Sequence, residues 1–228
     1  MASIAFRKLR RLAPRAKRVV VRRSGEDAAI AAYVPTLTLK ADAYMAAYDA
    51  GAKYEATWRR EMKEGRGAIA ALLKTVRAWT PLVVRDVKGV DASGFGDQPD
   101  VPDDVLSDAE RLLSVIGEAG SSLAFYEPAN AALDRAYQAA AKEWHEAETA
   151  DSKYQLLLKE VRLTGSAFDG ELQLFRRTFG SIVGRSDKDF QKLRAERAAA
   201  ADEEDDASAP PAAPPVTPAP DGSVEPGS

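Results

Sequence analysis

Residues 37–83, LTLKADAYMAAYDAGAKYEATWRREMKEGRGAIAALLKTVRAWTPLV, and residues 133–182, LDRAYQAAAKEWHEAETADSKYQLLLKEVRLTGSAFDGELQLFRRTFGSI, decide the fold. In the first, Leu37, Ala41, Tyr44, Tyr48, Gly51, Glu55, Trp58, Met62, Gly65, Ile69, Leu72, Val76, Trp79 and Val83 follow one another at alternating steps of four and three. The second carries Leu133, Tyr137, Ala140, Trp144, Ala147, Asp151, Tyr154, Leu158, Val161, Gly165, Phe168, Leu172, Phe175, Phe179 and Ile182 at the same steps. A period of 3.5 kept over this length specifies long helices supercoiled on partners.

The expected class is therefore all-α. It is an elongated antiparallel helical bundle built on two long helices, about 36–80 and 128–184, with shorter helices packed on them. Pro81 lacks a backbone donor and clashes with the carbonyl of Arg77, so the first long helix is expected to end or kink there. Glycines and Pro99 make residues 88–101 a loop. Pro102, Asp103 and Asp104 then open a shorter helix whose seam is Val105, Ala109, Leu112, Ile116 and Ala119, stopped by Gly120. Pro128 suits the first turn of the second long helix. Leu73, Leu157 and Leu163 widen the apolar face, which gives the short helix somewhere to lie. Placing Val83 opposite Leu133 sets Gly51 against Gly165, Gly65 against Asp151 and Trp79 against Tyr137. Ser186 and Asp189 start a last short helix through Phe190 and Leu193.

Charge is segregated along the chain. Residues 1–35 carry net +7, residues 89–130 net −8 and the segment from 202 onward net −7, while the whole chain is only −3. Near-neutral long helices suit packing, so electrostatic function is expected at the charged segments. Three regions follow: a basic arm at 1–24, a helical bundle at 25–200, and a disordered acidic and Pro/Ala-rich tail at 201–228. The spacings Pro211 to Pro214 and Pro215 to Pro218 read as a tether.

The arm contains Arg7, Lys8, Arg10, Arg11, Arg15, Lys17, Arg18, Arg22 and Arg23, with no acid before Glu26. Pro14 divides it. Before Pro14 a short amphipathic helix would set Leu9 and Leu12 against the basic side, and Val19, Val20 and Val21 read as extended or irregular chain. Ser24 and Asp27 form a weakened capping box for a short helix over 26–32. Nine cations in 23 residues suit salt-sensitive binding of nucleic acid. With Phe6, Leu9 and Leu12 they equally suit an anionic membrane surface. The Arg-rich, acid-poor cast is also that of an organelle transit segment, and a solubilising arm pairing with the chain's own acids has the same composition.

Chemistry is sparse elsewhere. The chain has no cysteine and one histidine, His145, which excludes thiolate and multi-histidine metal sites within one chain. Glu143, His145, Glu146 and Glu148 lack the glutamate three residues before a histidine that di-iron bundles use, so they read as a solvated face. No nucleophile motif or phosphate loop is present. Glu55 and Asp151 interrupt the apolar seams, either as register-setting polar positions or as an acid site, the former reading fitting their spacing better. No catalytic residue, metal or cofactor is expected.

The function expected is a non-enzymatic scaffold or adaptor acting through protein contacts, including self-association. The alternative is a peripheral protein that binds nucleic acid or an anionic membrane through the nine arm residues. With no secretory signal or membrane-spanning run read in the sequence, the expected location is the cytoplasm.

Overall fold

The computed structural model describes residues 4–91, 95 and 101–194. The loop acids Asp97 and Asp100 and the expected tail at 201–228 lie outside these residues. The described residues form helices α1 (Ile4–Arg23), α2 (Ala28–Ala31), α3 (Val34–Asp86), α4 (Pro102–Ala119), α5 (Tyr126–Val183) and α6 (Lys188–Lys192), with a 3₁₀ turn at Gly120–Ser122 and no strand.

The antiparallel pair α3 and α5 is the axis of the molecule. At about 1.5 Å per residue, α3 (53 residues) is about 80 Å long and α5 (58 residues) about 87 Å. Both seams face inward as the heptads require: Leu37, Ala41, Tyr44, Leu72, Val76 and Val83 of α3 meet Leu133, Ala140, Phe168, Leu172, Phe175 and Phe179 of α5, all of them fully buried. Ile182, at the end of the second seam, is 39% exposed. Gly120 and Gly184 end α4 and α5 with positive φ, 53° and 86°, the conformation a glycine cap supplies.

Two shorter helices complete the rod at opposite ends. α1 packs Leu12, Ala13, Ala16, Val19 and Val20 onto the first half of α3 and the second half of α5. At the other end α4 packs Val105, Ala109, Leu112 and Ile116 onto the remaining halves. Leu73 is buried beside α4, whereas Leu157 is only half-buried and Leu163 lies in solvent. Leu163, two residues from both Val161 and Gly165 on the inner face, is turned away from α1 and α3. No buried residue of α3 between Ala47 and Ile69, or of α5 between Ala140 and Val161, belongs to either core. The middle of the rod is thus a two-helix stretch, with basic α1 at one end and acidic α4 at the other.

Pro14 and Pro81 lie inside helices: α1 runs through the residue expected to divide it, and α3 does not end at Pro81, where an end or a kink is expected. Magnitudes give the reason. An internal proline costs about 3 kcal/mol, while fully burying one Val or Leu contributes about 1.5–3 kcal/mol. Beyond Pro14 lie Val19 and Val20, exposed by 3% and 0%, so helix continuation outweighs the lost backbone bond. Val83 plays the same part beyond Pro81, where Thr80 Oγ1 also donates to the Val76 carbonyl at 2.8 Å. The residues expected to be irregular at 19–21 are helical for this reason, and the basic segment is part of the first core rather than a separate arm.

The register differs from the expected one. Gly51 faces Val161, Tyr44 stacks on Phe168 with centroids 5.9 Å apart, and Trp58 stacks on Tyr154 at 4.7 Å. Gly165 lies under Phe6 and Tyr44, and Gly65 under Ala147 and Trp144. Two facing glycines would leave a void in the seam, whereas a glycine under a larger side chain fills the space at native density. Volume matching, rather than coincidence of small residues, sets the pairing.

Over part of the stretch Ala28–Asp86 the chain is apolar and long enough to cross a membrane, and 33% of that window is buried inside the rod. A core helix meets the same criterion.

Candidate functional site

The nine basic residues of α1 divide by face. The apolar face fixes the helix on the bundle, and Arg10, Lys17, Arg22 and Arg23 are among those drawn into ion pairs with their own chain. Arg10 grips Asp49 through Nε and Nη2 at 3.2 Å, and Lys17 reaches Asp42 at 2.5 Å. Arg23 pairs with Asp187 at 2.8 Å and lies 5.7 Å over the Phe179 ring, while Arg22 pairs with Asp189. These contacts clamp the end of α1 onto the start of α6. Asp187, rather than Ser186, caps α6 by accepting from the Asp189 and Phe190 amides at 2.8 and 3.1 Å. Ser24 bonds back to the Val21 carbonyl, so Asp27 alone caps α2.

Arg7, Lys8, Arg11, Arg15 and Arg18 fall on the outer side of α1, all but Arg15 exposed. Steps of four, four and three link Arg7, Arg11, Arg15 and Arg18, and Lys8 lies three before Arg11, so they make one stripe along the helix. Arg7 also borders a recess of about 120 Å³ where α1 gives way to the two-helix middle, between Gly51, Glu55, Arg59 and Tyr154.

The interrupting carboxylates have structural partners. Asp151 accepts the Trp58 indole N–H at 2.8 Å, and Glu55 is held by Arg59 one turn on at 2.5 Å. The two acids are not brought together. His145 is exposed on the outer face of α5.

A cationic site that the sequence reading passed over lies at the C-terminal end of α5. Gln173, Arg177, Ser181 and Arg185 succeed one another at four-residue steps, and with Arg176, Phe190 and Arg194 they border a groove of about 450 Å³. Phe190 fits there because Gly180 has no side chain: a Cβ at Gly180 would come within 2.6 Å of the Phe190 ring. The four-residue repeat was present in the sequence, but averaging charge over residues 131–185 conceals it.

Two carboxylates at this end have depressed pKa values. The Lys40 ammonium, 2.5 Å away, is the main cause for Glu171, aided by the Thr36 hydroxyl. Burial opposes ionisation of Asp187, but the Phe190 and Asp189 amides together with Arg23 hold it below the usual carboxylate range. Folded-state values below the unfolded ones mean that this stabilisation is complete above the ordinary carboxylate pKa and fades as pH falls through it. Urea midpoints are therefore expected to be flat from pH 7 to about pH 5 and to drop below about pH 4. In Glu171→Gln and Asp187→Asn variants the midpoint should be lower at pH 7 and the acid drop smaller.

These features define an all-α rod with a two-helix axis, one basic end and one acidic end. No protein-family model matches the chain, and no curated protein or solved structure is significantly similar to it.

Proposed function

We propose that this chain is a non-enzymatic scaffold that works through protein contacts, with a second copy of itself as one partner. The outer face of α5 carries the reading. Leu156, Leu163 and Leu174 are 67%, 63% and 51% exposed, and with Ala167 and Gly170 they follow a second set of heptad steps. A Cβ at Gly170 would meet nothing within 4 Å, so a partner helix has room to approach closely. The pattern is self-complementary: in an antiparallel pairing centred on Gly165, Leu156 of one copy meets Leu174 of the other and Leu163 meets Ala167. Such a contact is two-fold symmetric and closed. The same register brings Lys153 towards Arg177, which confines the contact to these positions and makes it a small, reversible interface.

The polar seam residues support the non-enzymatic part of the reading, because Trp58 and Arg59 already engage Asp151 and Glu55. Sedimentation of the full chain tests the contact. At about 100 µM a reversible dimer is expected, as befits an interface of this size, whereas a Leu163→Glu, Leu174→Glu variant should sediment as a monomer with unchanged helicity. A parent that stays monomeric at that concentration removes the self-association reading.

A second reading, binding of a polyanion, is favoured by the outward stripe of α1. Leu9, Leu12, Val19 and Val20 are buried in the bundle, so among the described residues of α1 Val21 is the large aliphatic side chain left exposed, too little to insert into lipid. Phosphate contacts without insertion, as on nucleic acid, suit this stripe best.

A further inference from the structure

The groove between α5 and α6 concentrates positive charge, and Arg176, Arg177 and Arg185 lie on it together. Arg176, Arg177, Arg185 and Arg194 border it, and no carboxylate lines it among the described residues. Asp187 and Asp189, at the start of α6, are already engaged by Arg23 and Arg22 of α1. Four guanidinium groups around one groove repel one another, by an amount that falls with solvent screening. Neither hydrophobic core includes them.

The chain itself carries a matching anion. Asp202, Glu203, Glu204, Asp205 and Asp206 follow Arg194, the last groove residue, after seven intervening positions. At about 3.3–3.6 Å per residue, the eight steps to Asp202 reach about 26–29 Å, ample for the run to turn back on the groove from which it departs. A guanidinium fork donates to both oxygens of a carboxylate, and an extended acidic segment presents one carboxylate per residue to Arg176, Arg177 and Arg185. We infer that the groove is a docking surface for an acidic peptide segment, and that its occupant is residues 202–206 of the same chain. An anionic partner of the basic end then has to displace this segment first.

The absence of cysteine from the chain allows a single probe. A nitroxide on a Ser208→Cys variant of the full chain, at low protein concentration and low salt, is expected to bleach most of the amide intensity at Gln173, Ser181 and Arg185. The bleaching should vanish when the five acids are replaced together by Asn or Gln. It should also vanish in an Arg176→Gln, Arg177→Gln, Arg185→Gln variant and in about 0.5 M salt, since exposed pairs of this kind are screened. Amides of α4 serve as the unaffected control. Signals at the groove that are untouched by the label, or bleaching that persists after the acids are neutralised, would overturn the inference. Bleaching of equal size between separately labelled chains would show an intermolecular contact and overturn it too. Release of the segment by inorganic phosphate, at an ionic strength where chloride releases nothing, would reassign the groove to phosphate.

Discussion

Replacing Leu12 by glutamate is expected to destabilise the protein by more than about 4 kcal/mol, whereas replacing Arg7, Lys8 and Arg18 together by glutamine should leave stability within about 0.5 kcal/mol. The contrast follows from which face of α1 each residue occupies. Leu12 is 3% exposed inside the cluster that includes Ala16, Tyr44, Phe168 and Leu172. A carboxylate there has no cation directed at it and must either ionise in an apolar site or fold protonated at a cost. The three cations are exposed, and surface charges of this kind contribute little to folding. Urea unfolding followed by circular dichroism measures both effects. The triple variant separates the two functional readings as well: it should lose binding to a single-stranded DNA oligonucleotide if the stripe is a polyanion site, while its sedimentation stays that of the parent. DNA binding that survives unchanged removes the stripe from that role. Deleting residues 1–23 would not distinguish these readings, because it strips the cover from one of the two cores.

Much of this architecture is legible in the residues. The heptad seams identify α3 and α5 to within a few residues at most ends, the Val105 to Ile116 seam identifies α4, and Gly120 and Gly184 stop helices where glycine is expected to. Pro14 and Pro81 mislead for a common reason: a local rule about backbone donors competes with burial of Val19, Val20 and Val83, and burial contributes more. Whether a proline breaks a helix depends on what lies beyond it, which only the packed structure supplies. The basic segment misleads in a related way. Its charges dominate the composition, but Leu9, Leu12, Ala13, Ala16, Val19 and Val20 form a helical stripe once the helix is allowed to run through Pro14, and that stripe fixes the segment to the bundle. The arginine groove escapes a reading by segment because it is assembled where the end of α5 meets α6, with Phe190 seated over Gly180 and against Phe179. Leu163 shows the opposite case. Its apolar character is plain in the sequence, but the packing of Val161 and Gly165 against α3 and α1 is what turns Leu163 to the uncovered face.

Gly65→Val is the second substitution expected to have a large effect, at about 2–4 kcal/mol of destabilisation. A Cβ at this position would lie 2.8 Å from the Ala147 Cβ and 3.1 Å from the Glu143 carbonyl oxygen. Neither neighbour is the end of a flexible side chain, so the two long helices themselves would have to separate. This happens in the two-helix middle, where neither α1 nor α4 adds contacts to hold the pair together, and separation would also disturb Trp144, which comes within 3.4 Å of the same point. Gly67→Ala, two residues along, supplies the comparison. A Cβ there meets nothing within 4 Å and the residue is exposed in the helix interior, so alanine should stabilise by about 0.5–1 kcal/mol through the backbone entropy that glycine forfeits. Opposite signs for two glycines in one turn of helix exclude a general intolerance of α3 to substitution. They would tie the cost at Gly65 to the close approach of α3 and α5, and with it the register in which each seam glycine sits under a larger residue. Equal effects at the two positions, measured by thermal unfolding, would instead mean that the helices are not in contact at Gly65 and that the register derived from Gly51, Trp58 and Tyr44 does not extend through the middle of the rod.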